Sequence, residues 1–163
     1  MTLNPVTRSY LVVASTFVVA MILAQVPVPN WAEGFRPDWV GLVLIYWCLA
    51  TPNRVGIGTG WLVGMIQDVL YGSLLGQHAL ALTVIAYLAA RLHLRIRVYP
   101  PWQQGLVALV LLSIGQLIVV WVRAIIGQSI TGWAFWTPGL VSLFIWPWVF
   151  VILRDIRRRG QVK

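Results

Sequence analysis

Six apolar segments, separated by short clusters of proline and glycine, are the feature that most constrains how this chain can fold. The segments cover residues 10–26, 39–50, 55–71, 78–92, 104–127 and 138–153. In lipid, only helices and closed barrels satisfy all backbone hydrogen-bonding groups. The segments lack the two-residue alternation of barrel strands. We therefore predict an all-α fold, a polytopic membrane bundle of about six transmembrane helices that forms one integral membrane domain over residues 1–163.

The composition favours a membrane fold over a soluble one. Of the 163 residues, 60% are hydrophobic and only 10% are charged, whereas soluble domains carry roughly a quarter charged residues. A soluble domain of this size has too high a surface-to-volume ratio to bury so much apolar surface. The net charge of +8 therefore indicates membrane orientation and contact with anionic lipid, and not nucleic-acid binding.

The distribution of basic residues predicts that both chain termini are cytoplasmic. With the N-terminus inside, the outer loops hold only Arg36, and Arg123 falls within the fifth segment. The inner side then holds Arg8, Arg54, Arg91, Arg95, Arg97, Arg154, Arg157, Arg158, Arg159 and Lys163. This asymmetry requires an even number of spans. Because segment 39–50 is short against the roughly 20 residues that cross a bilayer, five spans plus a re-entrant piece is the alternative.

Asp68 is the only charged side chain in the third segment, and glycines precede and follow it at four-residue steps. Residues four apart lie on nearly one helical face, and small residues on that face let another helix approach closely. We therefore place Asp68 in a helix–helix contact and not on the lipid face. The predicted helix-packing stripe consists of Gly56, Gly60, Gly64, Gly72 and Gly76.

Four polar residues could line one pocket that opens outward: Asp68, His78, Gln116 and Arg123. Asp68 and Arg123 each lie about four residues, or roughly 6 Å, below the outer ends of their helices. Intramembrane ionisable groups usually face the bundle interior and pair, which favours an Asp68–Arg123 pair. As alternatives, Asp68 is a neutral acid or binds backbone groups at the next helix start. Arg123 could instead reach the interface, and His78 could cap a helix.

No catalytic, metal or cofactor motif accompanies these residues. The sequence has no paired carboxylates, no Cys/His cluster and no complete phosphate-binding loop. Cys48 is expected to be a small buried side chain. Two basic clusters are expected to contact anionic lipid or a cytoplasmic partner. They consist of Arg91, Arg95 and Arg97, and of Arg154, Arg157, Arg158 and Arg159.

Several motifs resemble the MreD family of bacterial rod shape-determining membrane proteins. They are FRPDW (35–39), PNRVGIGTG (52–60), GMIQDVLYGSLLG (64–76) and WPW (146–148). The resemblance covers about residues 10–159 and is closest to the gammaproteobacterial form. It implies an inner-membrane location and a fold similar to the substrate-binding subunits of energy-coupling-factor transporters.

The family resemblance also implies a non-enzymatic scaffold without a cofactor. Such proteins bind MreC, a single-span protein with a periplasmic domain. Through MreC they join the MreB filament to peptidoglycan synthesis by RodA and its transpeptidase partner. The alternatives are a small-molecule-binding membrane subunit of a transporter and a membrane enzyme of lipid or wall-precursor chemistry. The homo-oligomeric state stays open at this point.

Overall fold

Six α-helices make up most of the described chain. The computed structural model describes residues 4–129, 132–160 and 162. Its helices are α1 (Pro5–Gln25), α2 (Trp39–Ala50), α3 (Ile57–Tyr71), α4 (Gln77–Ile96), α5 (Pro101–Ile125) and α6 (Thr137–Gly160). Short 3-10 turns lie at Asn30–Phe35 and Trp133–Phe135. These ranges contain no strand, and the predicted all-α membrane-type bundle is confirmed.

The helices match the predicted segments but extend into their polar flanks. α1 begins at Pro5 because proline is favourable at the first helical position and the Asn4 side chain accepts a hydrogen bond from the Val6 N–H (3.2 Å). α4 continues to Ile96 and α6 to Gly160. These extensions contain basic residues. A segment defined by apolar residues ends before them, but basic residues are favourable near the C-terminus of a helix.

Four of the helices, α1, α4, α5 and α6, are long and apolar enough to cross a bilayer. α2 has 12 residues and α3 has 15. At 1.5 Å per residue, α2 is about 18 Å long, shorter than the roughly 30 Å hydrocarbon core. Every α2 residue from Val40 to Leu49 is buried, and α2 packs against α1, α4 and α6. α2 is therefore the core of the bundle, and its neighbours shield it from lipid.

Polar and aromatic contacts join α2 to its neighbours. The Trp47 indole N–H donates to the Thr16 hydroxyl of α1 over 2.9 Å. The Tyr46 ring meets the Phe150 ring of α6 edge-on, with 5.7 Å between the ring centroids. Consecutive helices alternate in direction. We call the end where α1, α3 and α5 finish the distal end, and the end where the chain starts and finishes the proximal end.

The close approach of α3 to α4 depends on Gly60 and Gly64. A methyl group on Gly64 would lie 2.6 Å from the Ala79 backbone nitrogen, and one on Gly60 would lie 2.7 Å from the Leu82 carbonyl oxygen. Real side-chain carbons do not approach backbone atoms so closely. The two glycines therefore set the distance between these helices, which share the most extensive helix–helix contact in the bundle.

The other three glycines of the predicted stripe do not contact α4 in this way. A methyl group on Gly56 would make only an ordinary 3.9 Å contact with the Pro52 carbonyl oxygen. Gly72 and Gly76 lie in the α3–α4 turn with φ of +60° and +100° and face open space. Glycine is favoured there because it adopts positive φ without strain, so these two residues shape the turn.

Candidate functional site

The Asp68 carboxylate, near the C-terminal end of α3, caps the N-terminus of α4. Asp68 is fully buried. It accepts hydrogen bonds from the backbone N–H groups of Gly76 (2.9 Å), His78 (3.0 Å) and Ala79 (3.3 Å). The Ser73 hydroxyl donates a fourth bond over 2.8 Å. The first N–H groups of a helix lack intrahelical partners, so a negative charge placed there is well stabilised.

His78 completes this network and carries it to a cavity. Its Nδ1 atom lies 2.7 Å from the Asp68 Oδ1 atom. A carboxylate only accepts hydrogen bonds, so Nδ1 bears the proton in this contact and Nε2 is the other polar atom of the ring. The ring also meets Tyr71 edge-on, with centroids 5.4 Å apart. Asp68 thus fixes the orientation of a histidine whose ring lines the cavity described next.

A cavity of about 300 Å³ opens at the distal end of the bundle. Apolar side chains of α4 and α5 form part of its lining. Its polar lining residues are Gln25, Arg36, Asp38, Gln67, Tyr71, His78 and Gln116. Gln67 is only 6% exposed, and its Oε1 atom has no hydrogen-bond partner. A buried polar atom without a partner is costly, so this oxygen is suited to a donor that enters the cavity.

The loop before α2 contributes one positive and one negative side chain to this cavity. The Arg36 guanidinium donates to the carbonyl oxygens of Ala24 (3.2 Å) and Val26 at the end of α1. Asp38 caps α2 by accepting a hydrogen bond from the Gly41 N–H (2.9 Å). These contacts satisfy groups at two helix ends and hold both side chains in place.

The backbone and the charge of Asp38 are also constrained by the fold. Its N–H donates to the buried Ser142 hydroxyl of α6 over 3.0 Å. Although part of the Asp38 side chain faces the cavity, the surrounding protein desolvates it and raises the pKa of its carboxyl above the ordinary value. The Gly41 N–H and the His78 imidazole act in the opposite direction. The cavity therefore holds a carboxyl group whose charge depends on its neighbours.

The predicted pocket residues do not all come together. His78 and Gln116 line the distal cavity. Asp68 lies behind His78 and points its oxygens at the α4 start. Arg123 is half-buried, and its guanidinium carbon lies 5.9 Å from the centroid of the Phe135 ring. The side chain that contacts the Asp68 carboxylate is His78, and the structure shows no ion pair between Asp68 and Arg123.

Sequence reasoning did not include Arg36, Asp38 or Gln67 in the site. Two signals could have found Asp38 and Gln67. Asp38 directly precedes an apolar helix, which is a typical N-cap position. Gln67 is a polar residue beside Asp68 within an apolar segment, and such residues usually face the bundle interior. No comparable signal points to Arg36, because its role depends on where α1 ends.

The predicted basic residues lie at the proximal end. Arg91 lies over the Tyr87 ring and Arg154 over the Phe150 ring. The Arg159 guanidinium forms an exposed ion pair with Asp155 at 3.2 Å. Contact of the whole set with anionic lipid stays a prediction for Arg91, Arg95, Arg97, Arg154, Arg157, Arg158 and Arg159. Lys163 lies outside the described residues.

Neither a metal nor a thiol site is evident in the described ranges. Residues 4–129, 132–160 and 162 contain no group of three or more histidine, cysteine, aspartate or glutamate side chains that could hold a metal ion. Cys48 is fully buried in α2 among apolar neighbours. A cysteine buried in such surroundings is chemically inert.

Comparison with known proteins gives one consistent family. The model of the family "MreD: rod shape-determining protein MreD" matches residues 6–156. The "Rod shape-determining protein MreD" of Haemophilus influenzae is 35% identical over 150 residues, which cover 92% of this chain and 93% of that protein. No solved structure matches. MreD is a shape-determining structural protein of the MreBCD system and not a known enzyme family. The chain therefore belongs to the MreD family, as a multi-pass inner-membrane protein with a role in rod-shape determination.

Proposed function

We propose that this protein is a non-enzymatic membrane scaffold of the cell-elongation machinery. In this role it binds MreC and helps couple MreB filaments to peptidoglycan synthesis by RodA and its transpeptidase partner. The observation that carries the proposal is the family match over residues 6–156, which covers all six helices almost completely. The excess of basic residues in the loops and tail of the proximal end supports a cytoplasmic location for both termini.

An apolar groove between α1 and α6 supports a helical partner in the membrane. The groove has a volume of about 230 Å³, and its floor is formed by Trp39 and Val43 of α2. Each wall repeats at the i, i+3, i+4, i+7 spacing of one helical face. The wall residues are Thr16, Val19, Ala20 and Leu23 in α1, and Val149, Ile152, Leu153 and Ile156 in α6.

The shape and composition of this groove suit a single transmembrane helix. Helix-in-groove recognition uses anchors at the same i, i+3, i+4, i+7 spacing. Small side chains on the α1 wall, Ser15, Thr16 and Ala20, would let a third helix approach closely. An added helix would also cover Trp39, the partly exposed first residue of α2. We therefore assign this groove to the membrane helix of MreC.

Cysteine cross-linking tests this assignment. Cys48 is the only cysteine in the chain and is fully buried, so single cysteines can be added without a reactive background. We expect Val19→Cys and Ile152→Cys, both exposed in the groove, to form disulfides with cysteines in the MreC membrane helix. Val110→Cys and Trp121→Cys, exposed on α5, are the matched controls. Cross-linking at α5 in place of the groove would overturn the assignment.

Native mass spectrometry tests the scaffold role itself. The tagged protein would be extracted gently from membranes that also contain MreC. We expect a stable complex with MreC and no loss of it on further washing. A protein that carries no MreC and retains a small molecule would contradict the scaffold proposal. Depletion of the protein from a rod-shaped host provides the cellular readout, since a scaffold of elongation is needed for rod shape.

The second candidate is a small-molecule-binding membrane subunit of a transporter. It is favoured by the distal cavity, in which Arg36, Asp38 and His78 supply polar groups and Gln67 offers an unpartnered oxygen. Ligand sites typically combine an apolar lining with a few fixed polar groups. Retention of a small molecule that is lost in the Gln67→Leu variant would support this function. It would also locate the ligand in the cavity.

A further inference from the structure

A second polar cavity lies at the proximal end, about 180 Å³ in volume, between the end of α2, the α4–α5 turn and α6. It is smaller than the roughly 300–1,000 Å³ of sites for drug-sized ligands. Three arginines line it: Arg97 after α4, and Arg154 and Arg157 in α6. Within the described part of the chain, no carboxylate lines it. The size and charge of this cavity suit a small anionic group.

Among the residues that the structure describes, no acidic side chain pairs with the three arginines of this cavity. The chain has four acidic residues. Glu33, Asp38 and Asp68 belong to the distal half of the molecule. Asp155 forms its ion pair with Arg159, outside the cavity. Arginine recognises phosphate well because its planar group presents several fixed N–H donors. The uncompensated positive charge is therefore available to a ligand.

Two buried polar side chains form the inner wall of the same cavity. Tyr46 is 3% exposed and lines the cavity together with Arg157, whose Nε atom donates to the Val162 carbonyl oxygen over 3.4 Å. Gln104 is 5% exposed, and its Nε2 atom donates to the carbonyl oxygens of Ile96 (3.2 Å) and Tyr99 (3.1 Å). The Gln104 Oε1 atom is buried without a partner. Gln104 thus fixes the turn that carries one of the arginines and leaves one acceptor unpartnered.

We infer that this proximal cavity binds the phosphate group of a phospholipid. The arginines neutralise the phosphate, and the Gln104 Oε1 atom accepts a hydrogen bond from a hydroxyl or ammonium group of the same headgroup. A headgroup supplies both the anion and the donor, whereas inorganic phosphate supplies mainly the anion. Leu49, Ala50 and Phe150 complete the lining, and acyl chains can continue along the apolar outer surface of the bundle. This inference does not depend on MreC binding.

The simplest competing explanation is that these arginines respond only to the general charge of the membrane surface. Basic residues near anionic lipid each contribute about 1 kcal/mol, which is about five-fold in affinity. A general effect would be shared by every exposed arginine at the proximal end. Lipid binding in the cavity would depend on the cavity arginines alone. Paired variants that remove the same charge can separate the two explanations.

The test uses the full chain in a nonionic detergent, stripped of lipid and titrated in native mass spectrometry. The cavity pair is Arg97→Gln with Arg154→Gln. The matched control pair is Arg95→Gln with Arg158→Gln, which are exposed, lie on the same two parts of the chain and do not line the cavity. The probes are phosphatidylglycerol, diacylglycerol with the same acyl chains, and inorganic phosphate.

We expect the cavity pair to weaken phosphatidylglycerol binding about 25-fold. The control pair should weaken it by less than about three-fold, because neither side chain lines the cavity and exposed charges are screened at physiological salt. Diacylglycerol should bind wild-type protein far more weakly than phosphatidylglycerol. If both pairs weaken phosphatidylglycerol binding equally, or if the two lipids bind equally well, the proposed site is wrong. Displacement of phosphatidylglycerol by inorganic phosphate at similar affinity would keep a phosphate site but overturn the lipid as its source.

A single substitution separates a loss of lipid binding from a folding defect. Arg154→Gln alone alters one exposed side chain that lies over the Phe150 ring. It should weaken phosphatidylglycerol binding about five-fold with unchanged helix content and unchanged elution in size-exclusion chromatography. Binding equal to that of wild type in this variant and in a folded cavity pair would overturn the proposal.

Discussion

The Nδ1 atom of His78 lies 2.7 Å from the Oδ1 atom of Asp68, which joins the end of α3 to the start of α4. The same carboxylate receives three backbone N–H groups and the Ser73 hydroxyl. The hydrogen-bond partners of this acidic side chain all belong to the α3–α4 turn and the first residues of α4. It is an internal cap that orients a cavity-lining histidine.

Removal of this carboxylate should destabilise the bundle. Asp68→Ala leaves the N–H groups of the α4 start without their acceptor, and we expect a loss of about 3 kcal/mol in the free energy of unfolding. Asp155→Ala removes an exposed carboxylate whose pair with Arg159 contributes less than about 0.5 kcal/mol. Thermal unfolding in detergent compares the two variants. Similar losses in both would contradict the capping role of Asp68.

A methyl group on Gly64 should separate α3 from α4. Because Gly64→Ala places a carbon 2.6 Å from the Ala79 backbone nitrogen, we expect a loss of roughly 3 kcal/mol from overpacking. Gly58 lies in the same helix with no atom near its added methyl group. Gly58→Ala should therefore be neutral or stabilise by up to about 1 kcal/mol. Chemical denaturation in mixed micelles measures both, and tolerance of Gly64→Ala would refute the close contact.

Arg123 should prove independent of Asp68. Its guanidinium lies over the Phe135 ring, so Arg123→Leu is expected to cost less than about 1 kcal/mol. In a double-mutant cycle with Asp68→Asn, the coupling energy should be below about 0.5 kcal/mol. The cycle of Asp68→Asn with His78→Gln should give a coupling above that value because the two side chains are in contact. A larger coupling energy between Asp68 and Arg123 would support the ion pair that was predicted from the sequence.

Two glutamines with unpartnered oxygens should respond differently to the same substitution. Gln67→Leu removes a buried amide of the distal cavity, and we expect the unfolding free energy to stay within about 1 kcal/mol of wild type. Gln104→Leu also removes two hydrogen bonds to the end of α4 and should cost about 2 kcal/mol. Calorimetry of both variants in one detergent checks the order. The reverse order would show that Gln67 has a structural role.

The sequence predicted the helices well because their limits follow from simple chemistry. Proline and glycine clusters interrupt apolar segments, and lipid forces the segments between them to be helical. The resemblance to the MreD family was confirmed over nearly the whole chain. The likeness to energy-coupling-factor subunits stays a prediction. The burial of Asp68 also followed from the high cost of a carboxylate in lipid.

The partner of Asp68 could not be predicted with the same arguments. Counting residues from helix ends gave Asp68 and Arg123 similar depths, but depth does not determine the direction in which a side chain points. The direction is set by the α3–α4 turn, where Gly72 and Gly76 adopt positive φ and bring the α4 start back to α3. The role of α2 was missed for a related reason, since the span-length rule describes helices that face lipid.

The short central helix has a consequence for the insulation of the membrane. The distal cavity reaches the first residues of α2, and the proximal cavity reaches its last residues. Water that fills both cavities would leave the length of α2, about 18 Å, as the dry barrier between the two sides. The transmembrane voltage would then fall across about three fifths of the usual distance of roughly 30 Å. Charged groups at either end of α2 would thus experience a steeper electric field than they would across an unmodified bilayer.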